Sequence, residues 1–120
     1  GETPEQVARR EASEEAGCTV QEVLPISSFY TSPGKTSQRT HLYLGRVDST
    51  HASGIHGLAH EGEDIRVVCL AAEQAIALAE QGRTDSAWPL IALLWFARQH
   101  AAIRKRWLSS DGGAAPASAD

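Results

Sequence analysis

Positive charge is in short supply in this sequence. Its 120 residues carry 11 Lys and Arg against 15 Asp and Glu, for a formal net charge of −4 and a pI near 5.7. A dedicated binder of nucleic acid or of an anionic membrane surface needs a positive field. Both partner classes are therefore excluded, and any chemistry on phosphates here has to bring in cations. No apolar run is long enough to span a bilayer and no stretch reads as a signal peptide, so no membrane partner is expected and the cytosol is the expected compartment. Cysteine is nearly absent: Cys18 and Cys69 have apolar sequence neighbours and suit buried free thiols in a reducing compartment, with one bridge between them as the alternative. Methionine is missing altogether, even at position 1, which points to an incomplete chain. What is present, 42% apolar and 22% charged residues, fits one globular domain at most, with a single real core.

The most informative stretch is the beginning, GETPEQVARREASEEAGC. Thr3 is a good N-cap, Pro4 suits a first helical position, Gln6 stands three residues after Thr3, and Gly17 ends the run, so a helix with capping-box chemistry is predicted between them. At about 100° per residue, Glu11, Glu14 and Glu15 fall on one arc, beside a stripe of small residues at Ala8, Ala12 and Ala16. Like charges at i, i+4 cost roughly 0.2 to 0.5 kcal/mol. Two readings follow. The arc is a solvated acidic face with an Arg10 to Glu14 pair, or it is a cluster of hard oxygen ligands for Mg²⁺ or a similar ion.

Further along, Cys18 to Tyr30 is rich in Val, Ile, Phe and Tyr and reads as a strand with a kink or an edge at Pro25. A turn follows at Thr31 to Lys35, and His41 to Val47 reads as a second strand antiparallel to the first. Asp48 to Glu63, with its glycines and histidines, shows neither helical nor strand period and is expected to be a long loop. Ile65 to Leu70 is a third strand and Ala72 to Gln81, stopped by Gly82, a helix. Trp88 to Trp107 is a long helix with Leu90, Ile91, Leu94, Trp95 and Ile103 on its apolar face. The tail from Ser109 is small and polar and is expected to be disordered. Three further groups carry less. His51, His56 and His60 would make a transition-metal site only if something imposed spacing on their loop. Arg104-Lys105-Arg106 is charge favoured at a helix C-terminus. Trp88, Trp95 and Trp107 read as core or subunit contact.

Taken together, Glu2, seven residues, Arg10-Glu11, apolar Ala12, Ser13, Glu14-Glu15, Ala16, Gly17 and apolar Cys18 resemble the Nudix box at every specified position from Glu2 onward. The box's opening Gly falls ahead of residue 1, so the chain is expected to begin inside the motif. Within that superfamily the sequence is similar to the bacterial ADP-ribose diphosphatases. The similarity rests on Pro33 fifteen residues beyond Cys18, on Ser53-Gly54-Ile55-His56-Gly57, on Glu61-x-Glu63-Asp64-Ile65 and on Ile91-Ala92-Leu93.

The resemblance implies a Nudix-type α/β/α sandwich with a mixed sheet whose N-terminal strands are missing, residues 1–108 being the C-terminal portion of the domain and 109–120 the tail. It implies Mg²⁺-dependent hydrolysis of ADP-ribose to AMP and ribose 5-phosphate, with Mn²⁺ as an alternative ion and another nucleoside-diphosphate sugar as an alternative substrate. From a different class, a non-catalytic Nudix-like binding or dimerisation module is the remaining alternative. Glu11, Glu15 and Glu14 are the implied metal ligands. Arg10 orients a carboxylate, Glu2 or Glu14. Glu63 is the implied catalytic base on a loop closing through Gly54, Gly57 and Gly62, with Glu61 as its metal-side assistant or as the base itself. Ser32 and Arg39 are implied contacts to phosphate or ribose. The full-length protein is expected to be a homodimer with adenine recognised between subunits, and residues 1–120 alone are expected to be inactive.

Overall fold

A computed structural model describes residues 1–32, 34–35, 37–48, 54–56 and 65–109, in two compact units divided between Ala71 and Ala72. The α/β class expected from the sequence holds.

The first unit opens with α1 (Pro4–Ala16). The Thr3 hydroxyl accepts from the Gln6 N–H at 3.2 Å while the Gln6 side chain accepts from the Thr3 N–H at 2.9 Å. Two of the helix's unpaired N-terminal donors are thereby satisfied. Gly17 ends α1 at φ 65°, donating to the Ser13 carbonyl at 3.0 Å, and the Cys18 N–H reaches the Ala12 carbonyl at 3.3 Å. A side chain in this left-handed conformation is strained by about 1–2 kcal/mol. Gly17→Ala is therefore expected to lower stability by about 1 kcal/mol, seen as a drop of roughly 4 °C in the thermal midpoint. An unchanged midpoint would mean that the helix end relaxes without cost.

β1 (Val20–Phe29) and β2 (Thr40–Val47) pair antiparallel, Leu24 opposite Leu44 and Ser28 opposite His41. The register shifts between Val20 and Glu22 and again between Pro25 and Ser27. The second shift is the irregularity expected at Pro25, which cannot donate to the ladder. In the connection the Lys35 N–H donates to the Ser32 carbonyl at 3.0 Å. A guanidinium ties helix to sheet: Arg9 Nη1 donates to the Val20 carbonyl at 2.6 Å, while Arg9 Nε lies 3.5 Å from Glu5.

Two short strands complete the unit, β3 (Gly54–His56) and β4 (Ile65–Val67), paired antiparallel with Gly54 opposite Val67 and His56 opposite Ile65. Both lie against α1. The stretch 48–63 is thus not loop throughout, and the third expected strand ends at Val67 rather than Leu70. Val68 and Leu70 are exposed. Among the described residues the strands form two two-stranded antiparallel sheets. The cysteines are free, but neither is buried as expected: Cys18 is half-buried and Cys69 exposed.

The second unit pairs α2 (Ala72–Glu80) with α3 (Ala87–Ser109). Gly82, at φ 69°, stops α2 in a Schellman cap: its N–H meets the Ala79 carbonyl at 3.1 Å and the Arg83 N–H meets the Leu78 carbonyl at 2.8 Å. Ala79 and Ile103 are the buried hydrophobic residues here. The apolar face assigned to α3 is only partly covered, since Ile91 and Leu94 are exposed together with Trp88. No described helix is long and apolar enough to cross a membrane. The expected disordered tail lies, apart from Ser109, outside the described residues.

Candidate active site

Beyond Glu5, which lies against Arg9, the carboxylates of α1 divide into two groups. Glu14 belongs to an ion network: Arg10 Nη1 donates to its two oxygens at 3.3 and 3.2 Å, and Arg10 Nε donates to both oxygens of Glu2 at 3.1 Å. The Arg10 guanidinium is held still more firmly in its charged form, first by Glu14 and then by Glu2. With side chains 47%, 44% and 28% exposed for Arg10, Glu2 and Glu14, the network contributes little to stability. Its consequence is orientation. A planar fork engaging two carboxylates fixes Glu2, ahead of the helix, relative to Glu14 in its last turns.

Glu11 and Glu15 form the second group, one helical turn and about 6 Å of rise apart. Glu11 is exposed and Glu15 half-buried. Glu11 opens onto a cleft of about 370 Å³, which α1 and its approach line with Glu2, Val7, Ala8 and Glu11 while Arg39 and His41 line it from the start of β2. The small Ala8 in the middle of the helix wall leaves room there. The cleft therefore joins carboxylates to a fixed cation within one concave surface, the charge arrangement suited to a polyanion that arrives with metal ions.

Arg39 is itself held in place. Its Nε donates to the Ser28 hydroxyl and its Nη2 to the Ser28 carbonyl, both at 3.0 Å, and its guanidinium carbon lies 4.8 Å from the centre of the Tyr30 ring. Ser32, the other implied substrate contact, does not line this cleft; it is half-buried and its carbonyl closes the turn with Lys35. Glu61, Glu63, His51, His60, Gly57 and Gly62 lie outside the described residues. His41, which no local motif marks, is the cleft residue that sequence reasoning missed. It stands two residues after Arg39, a spacing that puts both on one side of an extended segment, and across the hairpin it pairs with Ser28.

Among the described residues no three His, Cys, Asp or Glu side chains converge as a metal site. A closed protein cage is not what Mg²⁺ requires, because it keeps several waters and is bound through one or two carboxylates plus substrate phosphates. The hard oxygens of Glu11 and Glu15, one turn apart, fit that demand. Glu14 fits it less directly, because both its oxygens already accept from Arg10.

Comparison with known proteins places the chain in a family. Residues 1–94 match the model of the NUDIX domain. The chain is 51% identical over 107 residues to an ADP-ribose pyrophosphatase of Escherichia coli, covering 89% of this chain and 51% of that protein. It is 43% identical over 110 residues to an ADP-ribose pyrophosphatase of Haemophilus influenzae, covering 92% of this chain and 51% of that protein. A GDP-mannose pyrophosphatase of Pectobacterium atrosepticum is 34% identical over 102 residues, covering 85% of this chain and 50% of that protein. The chain thus spans about half the length of the curated relatives it matches.

Proposed function

The chain belongs to the NUDIX family, and from that premise we propose that the protein hydrolyses the pyrophosphate of ADP-ribose to AMP and ribose 5-phosphate with Mg²⁺, or Mn²⁺ in its place. The observation that carries this reading is the cleft in which Glu11 faces the same space as Arg39 and His41. Mg²⁺ held by Glu11 and Glu15, with Glu14 as a third carboxylate, would neutralise the phosphates and acidify water. Arg10 keeps Glu2 and Glu14 in position. Arg39 and His41 supply N–H donors for a phosphate, and Ser32, outside the lining of the cleft, is assigned a contact to phosphate or ribose. Glu63 accepts the proton of the attacking water as one bridging P–O bond of the pyrophosphate breaks, with Glu61 assisting beside the metal ions. β4 begins two residues after Glu63 and packs against the helix that carries Glu11, which supports this role for Glu63.

A homodimer in the cytosol completes the proposal, and the exposed Trp88, Ile91 and Leu94 of α3 offer apolar surface for self-association. A second substrate reading, GDP-mannose, is favoured by the 34% identical relative named for that activity. The test is a panel of ADP-ribose, GDP-mannose and UDP-glucose, assayed on the full-length protein by phosphatase-coupled phosphate release with and without EDTA. ADP-ribose is expected to give the highest kcat/KM, by about tenfold or more, and EDTA to abolish turnover. Preference for GDP-mannose would move the assignment to the second reading. No turnover of any of the three would leave a binding module.

A further inference from the structure

Arg39 is attached to its own hairpin in a way that the proposed chemistry does not itself require. It stands immediately before β2, and it reaches across to β1, where Ser28 receives both its Nε and its Nη2 at 3.0 Å and Tyr30 lies under the guanidinium at 4.8 Å. An arginine has five N–H donors in a rigid fork. Ser28 engages the Nε edge of that fork, and the rest of it is available to an anion in the cleft that Arg39 lines. A long side chain left to move in solvent loses rotamer freedom when it binds a phosphate, and one already fixed does not.

We propose that Ser28 and Tyr30 are positioning residues that hold Arg39 pre-formed as an anion receptor, with Tyr30 setting the plane of the guanidinium and Ser28 its rotation. The anion is a phosphate group of a diphosphate ester. This rests on the reading that Arg39 meets the substrate's phosphates. The Tyr30 ring is 40% exposed, so its face contributes through the cation above it and not through core packing. Among the described residues its hydroxyl makes no contact with Arg39, so phenylalanine should replace it.

The test is a double-mutant cycle on the full-length protein, using Tyr30→Leu, Tyr30→Phe, Ser28→Ala, Arg39→Ala and the Tyr30→Leu/Arg39→Ala pair. KM and kcat for ADP-ribose are measured alongside the Kd of inorganic pyrophosphate with Mg²⁺ by calorimetry, which needs no turnover. Tyr30→Leu is expected to raise KM and the pyrophosphate Kd about three- to tenfold, with kcat changed less than about twofold. Tyr30→Phe should restore both, and Ser28→Ala should mimic Tyr30→Leu if the leucine variant is poorly folded. In the Arg39→Ala background Tyr30→Leu should add nothing, because the group it positions is gone. Full additivity in that background, or no effect of Tyr30→Leu and Ser28→Ala, overturns the proposal. So does an Arg39→Ala variant that binds pyrophosphate as the wild type does. A coupled cycle in pyrophosphate Kd with no hydrolysis of ADP-ribose would uphold the positioning role and reject the substrate assignment.

Discussion

Replacing Glu15 by Gln should lower apparent Mg²⁺ affinity and turnover together while leaving the fold intact. The amide keeps the size of the side chain and removes one hard anionic ligand. Glu15 sits one turn after Glu11, so the substitution also relieves a like-charge pair that costs roughly 0.2 to 0.5 kcal/mol, against which stands the loss of the contact that Glu15 makes. Metal ions supply several kcal/mol of charge stabilisation in phosphoryl chemistry. At 1.36 kcal/mol per factor of ten, loss of one of two principal carboxylates should reduce kcat about 10²-fold at low Mg²⁺, with partial recovery at high Mg²⁺. The matching change at Glu14 should also release Arg10 from one of its two carboxylates, so it tests orientation as well as metal binding. A Mg²⁺ titration of both variants separates the two. Wild-type activity of Glu15→Gln at limiting Mg²⁺ would remove Glu15 from the metal site.

How much of this was legible beforehand depended on how local each determinant is. α1 could be read almost to the residue, because its start and stop are local chemistry: the Thr3 hydroxyl and Gln6 amide satisfy neighbouring N–H groups, and Gly17 takes a left-handed φ. The β1–β2 hairpin was legible for a similar reason, since two β-rich runs flank a Pro-Gly turn. β3 was not. Three residues are too few to show a period of two, and Gly54 with His56 resembles loop composition; what makes them a strand is pairing with Ile65 to Val67, a non-local event. On α3 the periodicity marked the apolar positions correctly but could not say which would be covered. Ile91 and Leu94 remain exposed where Ile103 is buried.

The site shows the same division. The acidic arc of α1 follows from a 100° rotation per residue, so Glu11, Glu14 and Glu15 were visible as a group. The Arg10 to Glu14 pair followed from i, i+4 spacing and is present; the second carboxylate on Arg10 and the one that faces a cleft were beyond helix geometry, because Glu2 and Arg39 come from outside the helix. The contacts of Arg39 with Ser28 and Tyr30 depend on a register that shifts between Pro25 and Ser27. A shift of one residue sends every side chain beyond it to the opposite face. Cross-strand partners are therefore the part of this site that a linear reading could not supply.

Glu63→Gln should have the largest effect on the chemical step and almost none on metal binding. The glutamine retains the size and the polar surface of the side chain but cannot accept a proton from water, and loss of a general base typically costs about 10²- to 10⁴-fold in kcat. KM for ADP-ribose should stay within about threefold, because nothing that holds the substrate's phosphates has been removed. Two comparisons separate this from other causes. Glu61→Gln should cost markedly less, and its deficit should shrink with added Mg²⁺ if Glu61 acts on the metal side. In contrast to Glu15→Gln, the Glu63→Gln deficit should persist at saturating Mg²⁺, since an absent base is not restored by occupancy of the metal site. The pH profile adds a further readout: with the base removed, the rate should climb with pH as hydroxide takes over from activated water. If Glu61→Gln proved the damaging substitution and Glu63→Gln left kcat within about twofold, the base would be Glu61, and the role of the residue two positions before β4 would pass to its neighbour.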